Sequence, residues 1–471
     1  MYKPQRLHPL AILDFFILKI YKLVQALLPF IVLALAEAEI RRWLLLAIPF
    51  LLLFFFAYGI LYWLRYVFYI KDQELRMESG VFIRKKRYIP FERIQTVQIT
   101  AGILQRLLGL VKVQVETAGG GGKAEFVLAA LPRQKAEELS RILQVNKNLH
   151  SSNYGEITPS EYILSTRSLL LLASTSNGIG VAIAALAAIS QFDDVFSNMH
   201  IWVKLGTYAK NIAGGEASLI VLLILVLIFL AWLISLVGTI IRFTGFRMIR
   251  DDHNIKISRG LLEKQQITIP LRRIQAIKII EGILRQPLGM VSIKVVSVSN
   301  IDTKSEGSMI VPLLPKSQLV GFMEEFLPEF TMSLQIEGLP GRSKKRYYLI
   351  NILPALITAV LSSIFIPWGY LAFSLVPIAA WLGHRQYQDA GWQVENHKLL
   401  LRSRSLARVT TIIHRKRIQS LSISRNPFQE RKSLNSLAVA FASGIAGAHV
   451  KLKGMDDERS DAIVTWFIGN N

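Results

Sequence analysis

Apolar positions along this chain fall into two alternating patterns: long uncharged runs, then short segments in which apolar and polar residues take turns. Trp43 to Leu64 and Leu219 to Ile241 carry no charge, and each is long enough for the roughly 20 residues a helix needs to cross a bilayer. Tyr58, Tyr62, Trp63 and Tyr66 form an aromatic belt at the end of the first of these runs, before and just after Arg65, as expected at a membrane–water boundary. Leu23 to Ala36 is uncharged but shorter, so it must recruit the end of an interfacial lead-in carrying Asp14, Lys19 and Lys22. Leu169 to Ile189 supplies a further run. Tyr347 to Gly383, interrupted by Pro354, Pro367 and Pro377, is just long enough for two crossings that turn at Pro367-Trp368-Gly369, with one long or re-entrant segment as the alternative. The pattern predicts about six transmembrane helices in three hairpins.

Behind each hairpin the period drops to two. Phe68–Leu75, Val81–Ile89, Ile94–Ile99, Val111–Glu116 and Ala124–Leu128 read as strands, rich in Val, Ile, Phe and Tyr. Gly119 to Gly122 reads as a hairpin loop rather than a phosphate loop, because Lys123 leads into a strand and not a helix. Pro132 opens a helix to Val145 with Ala136, Leu139, Ile142 and Leu143 on one face. The expected organisation is a lead-in and hairpin (1–65), a strand-rich domain (66–150), a linker and second hairpin (151–245), a second domain (246–335), a third hairpin (336–385) and a third domain (386–471) closed by a helix over Asp456–Ile468.

The domains are copies. Ile89-Pro90-Phe91-Glu92-Arg93-Ile94-Gln95 with Gly102-Ile103-Leu104 returns 180 positions later as Ile269-Pro270-Leu271-Arg272-Arg273-Ile274-Gln275 with Gly282-Ile283-Leu284. Fourteen of forty ungapped positions between 76–115 and 256–295 are identical, turn residues included, which marks a true duplication. A fainter copy, 324 positions on, has His414-Arg415-Lys416-Arg417-Ile418-Gln419 and Asn426-Pro427-Phe428.

Charge adds orientation. The chain has 471 residues, 55 Lys+Arg against 33 Asp+Glu, and 52% hydrophobic residues. Apolar and basic together fit a cytoplasmic-membrane protein; nucleic-acid binding would explain the charge but not the apolar runs. The loops inside the hairpins hold five acids and four bases, so the excess positive charge lies on the domain side. That places the N-terminus and all three domains in the cytoplasm. The absence of Cys excludes disulfides and thiol chemistry. The His residues lack metal-ligand spacing, no catalytic or cofactor motif occurs, and no catalytic, metal or cofactor residue is expected.

The order strand, Pro-x-x-Arg-Ile-Gln, strand, Gly/Asn-x-Leu/Phe-Gln/Arg, then Leu-Gly into Val-x-Val resembles the bacterial pleckstrin-homology-like domain. Two spans and a domain, three times over, is similar to the YdbT-type multi-pass membrane proteins. The resemblance implies an α+β membrane protein whose domains are partly open seven-stranded barrels capped by a C-terminal helix, and it implies no activity. The third copy departs from the pattern, with His414 at the Pro position and Asn426-Pro427 at Gly-Ile.

Two groups of bases are candidate contacts for lipid or a partner. Arg93, Arg273 and Arg417 recur at one position, where each could meet phosphate head groups or an acidic partner, or else satisfy strand-end carbonyls. Arg84, Lys85, Lys86 and Arg87, and Arg415 and Lys416 in the third copy, are basic clusters of the kind that attracts anionic lipid or simply orients the chain. The expectation is a non-enzymatic protein of the bilayer whose domains serve assembly, with a membrane-protein partner or a second copy, or lipid contact, and no nucleic acid. A lipid-translocating or transport protein is the alternative, with a lipid-acting enzyme behind it.

Overall fold

The computed structural model describes residues 4–36, 38–117, 126–145, 160–176, 217–297, 308–365, 369–443 and 448–469. The Gly119–Gly122 loop, most of the Leu169–Ile189 run, the Gln191–Glu216 connection and Pro367-Trp368 lie outside the described residues.

The first unit begins with a strand, not a helix. β1 (Gln5–Arg6) precedes α1 (Ala11–Ala36) and α2 (Ala38–Leu64) and pairs with β2 (Val67–Lys71), which follows them. β3 (Glu74–Ser79) and β4 (Lys85–Pro90) complete a four-stranded sheet; β5 (Ile94–Ala101), α3 (Ile103–Leu107), β6 (Leu110–Thr117), β7 (Phe126–Pro132) and the closing helix α4 (Arg133–Val145) follow. The stretch expected as one strand over Phe68–Leu75 is split, because Asp72 and Gln73 take positive φ and turn β2 into β3. Pro132 ends β7 instead of opening the helix. Ala136, Leu139 and Leu143 are buried, as their spacing predicts.

The second unit repeats this order: β8 (Ser160–Ile163), then α5 (Thr166–Ser174) and α6 (Ala217–Phe243), then β9 (Arg247–Arg250), β10 (Asn254–Arg259), β11 (Lys264–Pro270), β12 (Ile274–Glu281), β13 (Met290–Ser297), β14 (Ser308–Pro315) and α7 (Leu319–Phe326). The third has β15 (Glu337–Gly338), then α8 (Lys344–Phe365) and α9 (Leu375–Asp389), then β16 (Gly391–Glu395), β17 (Lys398–Arg404), β18 (Arg408–His414), β19 (Ile418–Ser424), α10 (Pro427–Glu430), β20 (Leu434–Phe441), β21 (Ala448–Asp456) and α11 (Asp457–Ile468). α8 and α9 pack together, and a Cβ on Gly369 would lie 1.8 Å from the Ser362 carbonyl, so the third apolar stretch doubles back. The helices described in each unit are thus inserted between the first and second strands of its own domain.

Among the described residues three helical stretches are long and apolar enough to cross a membrane: Leu45–Leu64, Leu225–Phe243 and Gly341–Phe365. Leu46, Phe50, Leu227, Phe229 and Leu353 are exposed on them, and apolar residues all round a helix require a non-aqueous surround.

The sheets do not stop at domain boundaries. β5 of the first domain pairs antiparallel with β11 of the second, and β12 of the second pairs with β18 of the third. The result is two seven-stranded sheets, each made from three strands of one domain and four of the next. The register is the same at both boundaries. Lys264 faces Ala101 at the first and Arg408 faces Glu281 at the second, which are equivalent positions under the repeat.

Candidate functional site: the domain junctions and the helix-side rim

β3 and β4 turn at Gly80 and β10 and β11 at Gly260, with φ of +114° and +107°, and a Cβ at either would come within 2.0 Å of a carbonyl, so only glycine fits. The tips of these hairpins lie against the helices. The Arg65 guanidinium donates to the Val81 carbonyl at 2.9 Å, Phe82 stacks on Tyr58 at 6.5 Å, and Leu261 N–H donates to the Ile241 carbonyl. β4 then runs about 20 Å away from that end, so the Pro-x-x-Arg-Ile-Gln turn sits at the far end of the domain. There Phe91 N–H bonds the carbonyl of Gln73 in the β2–β3 turn.

This placement separates the candidate bases. Arg84, Lys85 and Lys86 sit toward the helices. Arg84 and Lys86 both lie within salt-bridge reach of Glu78, at 3.6 and 3.7 Å, while Lys85 is exposed. Arg87 lies further along the strand. Arg415 and Lys416 are not the counterpart of that cluster: they sit in the far-end turn, where Arg415 donates to the Gly469 carbonyl and lies over the Trp466 ring. The Lys416 N–H donates to His414 Nδ1, the imidazole taking over a cap that Pro90 and Pro270 do not provide.

Arg273 and Arg417 reach across the junctions. Arg273 Nη2 donates to the Glu92 carbonyl of the first domain at 2.9 Å, and Arg417 Nη2 donates to the Arg272 carbonyl of the second at 2.7 Å. Each arginine thus holds the residue just before its own equivalent in the preceding domain. Burial, with Arg272 and Arg417 close by, lowers the Arg273 pKa from its usual value. The carbonyls that these side chains satisfy belong to a neighbouring domain, and that relation is invisible in one repeat. Arg93 is exposed and has no such contact among the described residues.

At the helix end the junctions differ. At the first, Arg106 Nη1 donates to the Leu261 carbonyl at 2.8 Å. At the second, a buried charge cluster forms: Arg408 holds both carboxylate oxygens of Glu281 and one oxygen of Asp389 at 3.0 Å, while Arg404 holds the other Asp389 oxygen and Gln286 Oε1 at 2.7 Å. Burial acts to raise the Asp389 pKa, but the hydrogen bonds and charges of Arg404 and Arg408 outweigh it, and the carboxyl is held below its ordinary value. The sequence reading missed these four residues. The available signal was an acid ending the largely apolar Ile277–Ile280 half of β12, beside Lys278, and two arginines four apart across a hairpin.

The repeated Gly-Ile-Leu motif lies on the helix-side rim. Gln105 Oε1 accepts from Gly102 N–H while its Nε2 donates to Asp14 of α1, and Arg285 donates to Thr175 beside α5. This pins loops whose apolar residues point outward: Ile103, Leu107 and Leu108 in the first domain, Ile283, Leu284 and Leu288 in the second, and Phe428 in the third are all exposed. The hairpin tips add Phe82, Ile83, Leu261, Leu262 and Leu406. A rim of exposed apolar residues at the end that carries the helices, with Arg84, Arg106 and Lys432 among them, is not a surface made for water.

A cavity of about 240 Å³ opens between the first two domains at the far end, lined in part by Ile94, Leu143, His253, Arg272, Leu327 and Glu329. It is smaller than an ordinary small-molecule pocket. No metal-ligating group of His, Asp and Glu occurs among the described residues.

Three tandem strand-rich domains, each interrupted by a helical pair and joined edge to edge, define a class of membrane-associated repeat protein, and the chain belongs to the family described as Bacterial PH domain, whose model matches residues 16–147, 199–324 and 348–470. It is a YdbT-type protein: it is 35% identical, over 99% of its own length and 98% of the relative's, to the UPF0699 transmembrane protein YdbT of Bacillus subtilis (strain 168).

Proposed function

We propose that this is a non-enzymatic scaffold of the cytoplasmic membrane, with six crossings, its N-terminus and all three domains on the cytoplasmic side, and no cofactor. The observation that carries the reading is the edge-to-edge fusion of the sheets, which joins the three domains into one continuous platform. A platform whose strands cross every domain boundary suits holding partners in fixed relation better than opening and closing around a substrate. The apolar rim lies on the helix side, where contact with lipid would bury Phe82, Ile83 and Leu107, and the basic residues nearby would favour anionic head groups. The far-end turns of Arg93, Arg273 and Arg417 lie away from the bilayer in this reading, so they serve assembly and not lipid.

Two measurements test it. With Phe82→Cys in the full chain, which has no cysteine of its own, labelled with an environment-sensitive fluorophore and reconstituted into vesicles, lipids carrying a nitroxide on their acyl chains should quench the label; an unquenched signal rejects lipid contact at the rim. Crosslinking in native membranes should recover a consistent protein neighbour, and recovery of none rejects the assembly role.

A further inference from the structure

Each junction is built from the same two halves. The acceptor half is the outer edge of β5 or β12 with the carbonyl of Glu92 or Arg272; the donor half is β11 or β18 followed by Arg273 or Arg417. One half of each kind is left over. β4 ends the first sheet and β19 ends the last. Their exposure shows it: β12 is almost wholly buried, whereas its equivalent β19 exposes Gln419, Ser420, Ser422 and Ser424, and β4 exposes Lys85 to Tyr88.

We propose that the unused halves fit each other between molecules, so that β4 and Arg93 of one copy dock on β19 and the Lys416 carbonyl of a second copy, head to tail. This names the partner within the scaffold reading and rests on it. The shared register of the two internal junctions predicts the third: Tyr88 opposite Leu421, as Thr268 is opposite Val97, and Lys85 opposite Ser424. The pairing puts the long basic side chains of β4 against small uncharged serines. The internal β5–β11 junction likewise holds without an ion pair between facing strand residues. Complementary charge enters at the rim, where Glu430 stands in the place of Arg106 and would meet the hairpin that carries Arg84. A head-to-tail contact closes into a ring or runs on as a filament. For chains in one bilayer the rotation axis must be normal to it, and the row of domains along the membrane permits that.

The chain has no Cys, so a cysteine pair reports cleanly. In native membranes, Ser424→Cys with Lys85→Cys should form disulfide-linked multimers on mild oxidation, since facing strand residues lie within disulfide reach. Each single variant, and Ser424→Cys with the opposite-face Lys86→Cys, should remain single chains. Unmodified protein in nanodiscs should show a mass above one chain, and Arg93→Ala should weaken self-association about ten-fold with unfolding unchanged. Single-chain mass with no multimer from the 424/85 pair overturns the proposal. If Ser424→Cys is instead captured by a different protein, self-docking is wrong and the scaffold reading survives. If no protein neighbour is recovered at all, both fall.

Discussion

The two internal junctions share one register and one arginine clasp, yet they are held differently. Where the second domain meets the third, the cores interpenetrate: Leu400 and Ile412 of the third belong to the second domain's core, and Ala276 and Val296 of the second belong to the third's. A four-residue charge cluster closes the helix end. Where the first meets the second, the core of the first is entirely its own, and the positions equivalent to Glu281, Asp389, Arg404 and Arg408 are Ala101, Gly245, Gly260 and Lys264. Duplication therefore supplied the ladder, and divergence decided how firmly each boundary is shut. The second and third domains form one stiff body, and the first is joined to it by backbone hydrogen bonds and a few side chains.

The difference can be broken most sharply at Asp389. Asp389→Ala leaves Arg404 and Arg408 short of a carboxylate in a buried site, and should cost about 3 kcal/mol. Amide exchange along β12 and β18 should accelerate while β5 and β11 stay as they were; equal acceleration at both junctions would refute a local role. Acid should do the same reversibly. A carboxyl whose folded pKa is depressed contributes stability above its ordinary value of 3.8 and loses it as pH falls through the lower folded value. Exchange followed from pH 6 downward should therefore loosen β18 selectively below about pH 4, with β5 lagging.

The clasps come next. Arg273→Ala and Arg417→Ala each remove a charged hydrogen bond to a carbonyl and should cost about 1.5 kcal/mol. The change should be more visible at the first junction, which has less else to hold it, and limited proteolysis between the first two domains reads it. Arg106→Ala removes one exposed contact to Leu261 and should cost only about 0.5 kcal/mol, detectable as a small gain in exchange at the 260–263 hairpin. A cost as large as that of Asp389→Ala would mean that the first junction hides a cluster of its own.

What the sequence disclosed follows from what is local. Strand and helix periods and the repeat itself come from neighbours in the chain, and the strands over Ile94–Ile99 and Val111–Glu116 and the helix ending at Val145 are found in the structure, whereas the strand expected over Val81–Ile89 starts only at Lys85. Asp72-Gln73 was hidden because strand-like segments of mixed apolar and polar residues run on both sides of a two-residue turn. The inserted hairpins were hidden because β1 is two residues long, β8 four and β15 two, too short to show a period. The role of Arg273 was out of reach for a deeper reason. Its partner, Glu92, is 181 residues away, and a strand that joins its neighbour's sheet looks the same in sequence as one that stays at an edge.

The insertion of each helical pair after the first strand has a consequence for biosynthesis. Gln5–Arg6 emerges from the ribosome before either helix, and its partner in β2 only after both. The first sheet can be completed only if the chain has come back to the side from which it left. In the six-crossing arrangement proposed above, strand closure in each domain would act as a check that the hairpin was threaded correctly, and a helix that failed to cross would leave an open sheet edge for quality-control machinery to find.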